Sequence, residues 1–138
     1  MTDTTRDCLF CKIVAGEVPS RQVHADENAI AFLDISPFQR GHTLVVPRRH
    51  VDDFVADPSS LSEIVPAIEA TSALLTSKLG CDGMNLFSSA TEVAGQEIFH
   101  LHVHLVPRYA ERPGLRALFD KDPAAGDDLD GLHRELTA

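Results

Sequence analysis

His100-Leu101-His102-Val103-His104-Leu105-Val106-Pro107-Arg108 is the stretch that decides how this chain is read. Histidine and aliphatic residues alternate strictly. On a strand, successive side chains leave opposite faces, so His100, His102 and His104 share one face and Leu101, Val103 and Leu105 the other. The aliphatic face can bury in a core. The histidine face must then look into a polar site or water. At a rise of ~3.3 Å per residue, neighbouring histidines stand about 6.6 Å apart and the outer pair about 13 Å apart. Neighbours could lean onto one metal ion, but all three would need a strongly bent strand. Divided labour is the simpler reading, with one end serving structure and the middle and far end chemistry. A single strand histidine is ordinarily solvated or satisfied in a core; three in alternation, followed by Pro and Arg, are not. The metallohydrolase pattern His-x-His-x-Asp-His competes poorly, because Val103 and His104 follow His102 without an Asp.

Outward from this stretch, Gly41-His42-Thr43-Leu44-Val45-Val46-Pro47-Arg48-Arg49-His50 carries two more of the seven histidines. His24 and His133 stand alone and read as ordinary polar residues. Strands are expected over 21–25, 29–35, 43–46, 84–87 and 100–106, with a turn at Asp26-Glu27-Asn28 and a stop at Pro47. The run 29–35 is nearly all apolar, which predicts burial on both faces. A helix is expected over 60–79. Ser60 and Glu63 have capping-box spacing, and Leu61, Ile64 or Val65, Ile68, Leu75 and Leu79 recur at helical period. Gly80 fits the C-terminal stop, and Pro66 should kink the helix or delay its start. The tail, 109–138, is mixed and ends in a short helix. Strands, one long helix, then strands make an α+β pattern without βαβ alternation.

The chain has 138 residues, which fits one domain over 1–138, with 1–7 as a frayed terminus and 109–138 as a C-terminal extension. With 12 Lys+Arg against 21 Asp+Glu, the net charge of −9 argues against a nucleic-acid partner, whose phosphates need many cations. One small phosphate ligand needs only a local cluster of donors. No apolar run approaches the roughly 20 residues of a membrane helix, so no membrane partner is expected. The polar N-terminus shows no secretory signal, which points to the cytoplasm.

Cys8-Leu9-Phe10-Cys11 supplies two thiolates at structural-zinc spacing. A structural zinc usually takes four ligands, and His50, after one strand, and His100, opening another, are candidates for the other two. A redox reading of Cys8 and Cys11 lacks the βαβ context of a thioredoxin-like site. Cys81 stands alone and reads as a small buried hydrophobe.

Taken together these segments resemble the histidine-triad family. His100 to Val106 matches its motif His-φ-His-φ-His-φ-φ, where φ is apolar, and Ala94-Gly95-Gln96 precedes it at the family's usual distance. Cys8 to Ser20, Ala31 to Pro37 and Gly41 to His50 fit the same family in order, so the likeness covers roughly residues 8–108 and is to the Hint branch. The resemblance implies a HIT-like α+β fold: a five-stranded antiparallel sheet, one long helix and a short N-terminal helix, usually as a homodimer. It implies a purine nucleotide site and hydrolysis or transfer at the α-phosphorus of a phosphoramidate or phosphoanhydride. His102 would be the nucleophile, His104 and Gln96 would contact the phosphate, and His42 would support the site from the neighbouring strand. Leu9, Phe10, Ile13, Phe32 and Ile35 would line the base pocket, with Asp34 on the ribose. Ser89, Gly95 and Glu97 would complete the nucleotide contacts. Structural Zn2+ would be held by Cys8, Cys11, His50 and His100.

Two departures from the family pattern stand out. Glu97 follows Gln96 where several relatives carry Ser or Thr, and a carboxylate repels a phosphate unless it points away or is protonated. The loop Ser88-Ser89-Ala90-Thr91 lacks an Asn that relatives often place there, and Ser89 could replace one donor. Two other readings stay open beside the phosphoramidase one. One is a dinucleoside polyphosphate hydrolase of the Fhit type, and the other a nucleotide-binding regulatory protein with vestigial catalysis.

Overall fold

The computed structural model describes residues 7–115 and 123–138. Five antiparallel strands form one sheet in the order β1-β2-β3-β5-β4: β1 (Gln22–Ala25), β2 (Ala29–Leu33), β3 (Thr43–Pro47), β4 (Gly83–Phe87) and β5 (Val103–Arg108). Helix α1 (Leu9–Val14) precedes the sheet, α2 (Ser60–Leu79) connects β3 to β4, and α3 (Leu129–Thr137) ends the chain. The expected five-stranded α+β architecture is therefore observed. The β1–β2 turn forms because Asp26 Oδ1 accepts the N–H groups of Asn28 and Ala29 at 2.9 and 3.0 Å.

The period of two splits the apolar residues between two cores, one on each face of the sheet. Ala29 and Ala31 of β2, Val45 of β3 and Val103 and Leu105 of β5 pack with Ile64, Ala67 and Leu75 of α2. Ile30 and Phe32 of β2 and Leu44 and Val46 of β3 pack on the other face with Cys8, Phe10 and Ile13 around α1. Ala29 to Phe32 are accordingly buried on both sides, as their unbroken apolar run predicts. The same alternation sends His104 of β5, beside Leu44 and Phe87 on the flanking strands, to the α1 face.

Several local expectations need correction. β5 begins at Val103, not His100; Leu101 N–H instead bonds the Val51 carbonyl at 2.7 Å, which takes 100–102 off the ladder. β2 ends at Leu33, where Asp34 N–H bonds the His42 carbonyl. The capping box does not form. Ser59 is the N-cap of α2, Ser60 Oγ donates to the Asp57 carbonyl, and the Glu63 carboxylate is taken by Arg49 at 2.8 Å. Leu61 and Val65 are exposed, and Ala67 and Thr71 take core positions instead. Pro66 neither delays nor ends α2, because it and Ser62, whose carbonyl its missing N–H would have bonded, both face solvent. Gly80 closes the helix in the left-handed conformation, as expected. Pro47 is the last residue of β3 rather than the first beyond it, and Cys81 is half-buried rather than buried.

The terminal helix expected in the tail is α3, which has no buried residues. The frayed terminus expected over 1–7 falls, except for Asp7, outside the described residues, as does part of the expected extension, 116–122. Among the described residues no helix is long and apolar enough to cross a membrane.

Candidate functional site

Two clusters of side chains converge on the α1 side of the sheet, and hydrogen bonds give each a different chemistry. The first joins Cys8, Cys11, His50 and His100, whose donor atoms all lie within 4.8 Å of one another. Cys8 Sγ is 3.4 Å from His100 Nδ1, and Cys11 Sγ is 3.2 Å from His50 Nδ1 and 3.5 Å from His100 Nδ1. Tetrahedral zinc, with Zn–S near ~2.3 Å and Zn–N near ~2.1 Å, would set S···N edges at about 3.6 Å. The tautomers also fit. His100 Nε2 donates to the Pro47 carbonyl at 2.8 Å and His50 Nε2 to Asp52 Oδ1 at 3.0 Å. Both Nδ1 lone pairs are left pointing inward, the arrangement a metal-binding imidazole needs. Burial pushes His100 down to about 4, so it stays neutral, as a ligand must be. The four residues fit zinc by spacing and by tautomer.

The second cluster is Asp34, His42 and His104, also close enough to share an ion. Its hydrogen bonds argue otherwise. The Phe38 N–H donates to His42 Nδ1 at 3.1 Å, so the proton of neutral His42 sits on Nε2. That Nε2–H donates to His104 Nδ1 at 2.9 Å, with Asp34 Oδ2 at 3.6 Å. His104 therefore carries its own proton on Nε2. This is a directed chain of donors, and the nitrogen that would face a metal is already protonated.

His102 has the opposite tautomer. Its Nδ1–H donates to the His100 carbonyl at 2.8 Å, leaving Nε2 basic and unprotonated. Ser88 Oγ donates to the His102 carbonyl at 2.7 Å and fixes the backbone there. Phe10 stands edge-on to the His102 ring, centroids 5.1 Å apart, and His104 lies at 5.0 Å. Burial lowers His102 and His42 and pushes His104 down to about 4; Asp34 partly opposes this at His42. All three imidazoles are thus neutral at neutral pH, one presenting a lone pair and one presenting an N–H.

His102 and His104 line a cavity of about 490 Å³. Leu9, Phe10, Ile13, Phe32, Leu44 and Ile98 make its apolar wall, and Asp34, Ser89, Gly95 and Glu97 bring polar groups to it. Ile35 reaches the wall but is 86% exposed, which places it at the rim rather than inside a base pocket. Asp34 Oδ1 accepts the Ser36 N–H at 2.8 Å, leaving Oδ2 available near the cavity. A cavity of this size, mainly apolar with a few convergent polar groups, suits a small organic ligand.

Gln96 departs from expectation. It is buried and absent from the cavity wall. Its Oε1 accepts the Thr91 N–H at 2.8 Å, and its Nε2 donates to the Asp52 and Ile98 carbonyls at 2.6 and 3.1 Å. Both amide protons are spent on holding the loop, so the side chain has no donor left for a phosphate.

Sequence reasoning missed two aromatic residues. Phe87 stacks on His104 at 4.4 Å and Phe38 on His42 at 4.9 Å, so each ring of the donor chain is held flat. Phe87 reaches His104 because it is paired with it across β4 and β5. That pairing is a fact of register, and nothing in either segment alone announces it. His24 pairs with Asp26, and His133 lies on exposed α3, in keeping with their ordinary reading.

Comparison with known proteins agrees with this geometry. The family model described as HIT domain matches residues 15–111. An uncharacterised HIT-like protein of Methanocaldococcus jannaschii is 46% identical over 130 residues, covering 94% of this chain and 98% of that protein. An adenosine 5′-monophosphoramidase of Saccharomyces cerevisiae is 31% identical over 138 residues, covering 95% of this chain and 81% of that one. The crystal structure of a Zn-bound histidine triad family protein from Mycobacterium smegmatis superposes with a TM-score of 0.72 at 33% identity, over 96% of this chain and 97% of that one. The chain belongs to the HIT-domain family, the histidine-triad proteins.

Proposed function

We propose that this protein is a nucleotide hydrolase or transferase acting at the α-phosphorus of purine nucleoside phosphoramidates or related phosphoanhydrides. The observation that carries the reading is His102: its Nδ1 proton is tied to the His100 carbonyl, so Nε2 is an unprotonated nucleophile on the wall of a ligand-sized cavity. A neutral imidazole attacks phosphorus without first losing a proton. The Nε2 lone pair forms the P–N bond to His102 as the bond from phosphorus to the leaving amine breaks. The amine departs with a proton drawn from solvent. Water then attacks phosphorus and breaks the P–N bond, giving nucleoside monophosphate and free neutral His102 and returning a proton to solvent. His104 Nε2–H, Ser89 and the backbone N–H groups near Gly95 are the donors for charge that builds on the phosphoryl oxygens. Asp34 Oδ2 serves the ribose hydroxyls, and the apolar wall takes the base. Gln96 acts from behind the wall, by fixing the loop.

Zinc, when held by Cys8, Cys11, His50 and His100, supplies a rigid cross-link. It ties α1, which carries Leu9, Phe10 and Ile13 of the wall, to the residue two before the nucleophile. The homodimer belongs to the same proposal: β4 is an open sheet edge with Leu86 57% exposed, and a solution mass of two chains is expected by sedimentation.

The test is AMP release from adenosine 5′-phosphoramidate by the wild type and by His102→Ala. Release by the wild type alone supports the reading. Tight AMP binding with no release by either protein would replace it with a nucleotide-binding module. Equal release by both would remove His102 as nucleophile.

A further inference from the structure

Among the described residues, the wall of the cavity carries three side chains of acidic or basic type, Arg21, Asp34 and Glu97. Their positions are unequal. Arg21 immediately precedes β1, which lies three strands from β5 in the sheet, roughly 14 Å by strand spacing. Asp34 is engaged by the Ser36 N–H and stands beside His42. Glu97 lies in the loop five residues before His102 and lines the same cavity. Gln96 ties that loop to the Asp52 carbonyl, and Leu101 N–H bonds the adjacent Val51 carbonyl, so the two segments hang from neighbouring peptide units. The three bonds of the Gln96 amide fix the backbone on both sides of Glu97. Among the described residues, the Glu97 carboxylate itself has no hydrogen-bond or ion-pair partner.

Among the described residues, the wall shared by the neutral imidazoles of His102 and His104 therefore carries the unpaired, solvent-exposed carboxylate of Glu97 on a backbone held on both sides, and its one cation, Arg21, sits across the sheet. An anionic phosphoryl group bound beside His102 has, among the described wall residues, only the distant Arg21 as a cation and is repelled by Glu97. A positive charge carried by the substrate itself offsets both effects. With the ribose and base on the apolar wall of α1 and β2, as in the proposed function, the group free to approach Glu97 is the one leaving phosphorus. We propose that Glu97 is a specificity-determining residue that selects phosphoramidates whose leaving amine bears a second, cationic ammonium group, and disfavours anionic leaving groups such as a polyphosphate or a second nucleotide. This deepens the phosphoramidase reading and rests on it. The covalent step is unchanged: the bond from phosphorus to the amine nitrogen breaks, the amine leaves protonated, and the distant ammonium stays by the Glu97 carboxylate.

The magnitude follows from Coulomb's law. One charge pair at ~4 Å in a water-like dielectric changes a rate or binding constant about fivefold. The cationic and anionic arms should then differ by about 25-fold, less as salt rises. The experiment uses three adenosine 5′-phosphoramidates, made from 1,3-diaminopropane, butylamine and β-alanine, to give cationic, neutral and anionic arms of similar length. Wild-type kcat/KM should fall in that order, and Glu97→Gln should collapse the spread toward one. The same spread in Glu97→Gln, or none in the wild type, overturns the proposal. The Kd values of the three compounds for His102→Ala, with and without Glu97→Gln, read the preference without chemistry. If the wild type fails to turn over the neutral compound, the reaction reading falls. The Kd spread still decides the charge preference: loss of the spread with Glu97→Gln upholds it and an unchanged spread rejects it.

Discussion

Gly41→Ala should be among the most damaging single-atom changes available to this fold, and its cost can be worked out from two separate terms. Gly41 has φ +90°, a conformation that costs a residue bearing a Cβ about 1–2 kcal/mol. An added Cβ would also overlap Leu79 Cδ1 and lie 3.1 Å from Pro107 Cγ. Leu79 can rotate away, but the Pro107 ring sits in β5 and cannot, so overpacking adds about 1–3 kcal/mol. The sum is about 2–5 kcal/mol. At ~3 °C per kcal/mol for a chain of this size, Tm should fall by about 6–15 °C. Gly16→Ala is the matched control, with φ +79° and nothing within 4 Å of an added Cβ, so only the backbone term applies there. Urea unfolding of the two variants beside the wild type separates the terms. Because Gly41 leads directly into His42 and its carbonyl accepts Thr43 Oγ1 at 2.8 Å, nucleotide affinity should weaken in Gly41→Ala alone. Equal losses of stability in the two variants would refute the packing argument.

Thr91 is a β-branched residue at φ 74°, ψ 163°, a region almost reserved for glycine; Thr91→Gly should raise stability by about 1 kcal/mol once the greater freedom of unfolded glycine is deducted, and a lowered urea midpoint would contradict this. Chelation of metal from the as-purified protein should lower Tm and weaken AMP binding together, since α1 carries both Cys11 and the Phe10 wall; loss of stability with unchanged Kd would uncouple them. His104 is held at about 4 and His42 is lowered, against 6.5 in the unfolded chain. Below pH 6.5 the unfolded chain binds more protons than the folded one, so both contributions are complete above pH 6.5 and are lost on acidification, that of His104 as pH falls toward about 4, by at most about 1.4 kcal/mol per pH unit for each group. Denaturation midpoints that rise on acidification through this window would reverse the sign and reject the neutral assignment.

Much of this arrangement is legible in the sequence because it depends on period and on residue type. Alternation in 100–106 puts His104 on the face opposite Val103 and Leu105, whichever strands lie beside it. Cys-x-x-Cys limits the metal, and tetrahedral coordination demands two further ligands. The same reasoning failed where a neighbour distant in sequence changed the local outcome. Glu63 has the spacing to cap α2, yet Arg49 claims its carboxylate. His100 looks like the start of a strand, yet its ring is drawn to the Pro47 carbonyl and the thiols, and Leu101 bonds Val51.

By itself, then, the sequence determined the α+β class, the burial of 29–33 on both faces and the separation of histidine from aliphatic side chains around His104, since these follow from backbone periodicity and side-chain chemistry; the residues that line the cavity with them came only from the family resemblance. The tertiary structure alone decided which nitrogen of each histidine carries the proton. A neutral imidazole has two nearly equivalent tautomers, and only a partner placed by the fold chooses between them. For His102 that partner is the His100 carbonyl, for His42 the Phe38 N–H, and for His104 the Nε2–H of His42. The fold also turned Gln96 inward to hold the loop and left Glu97 facing the cavity, because a buried amide must find partners while an exposed carboxylate can remain in water.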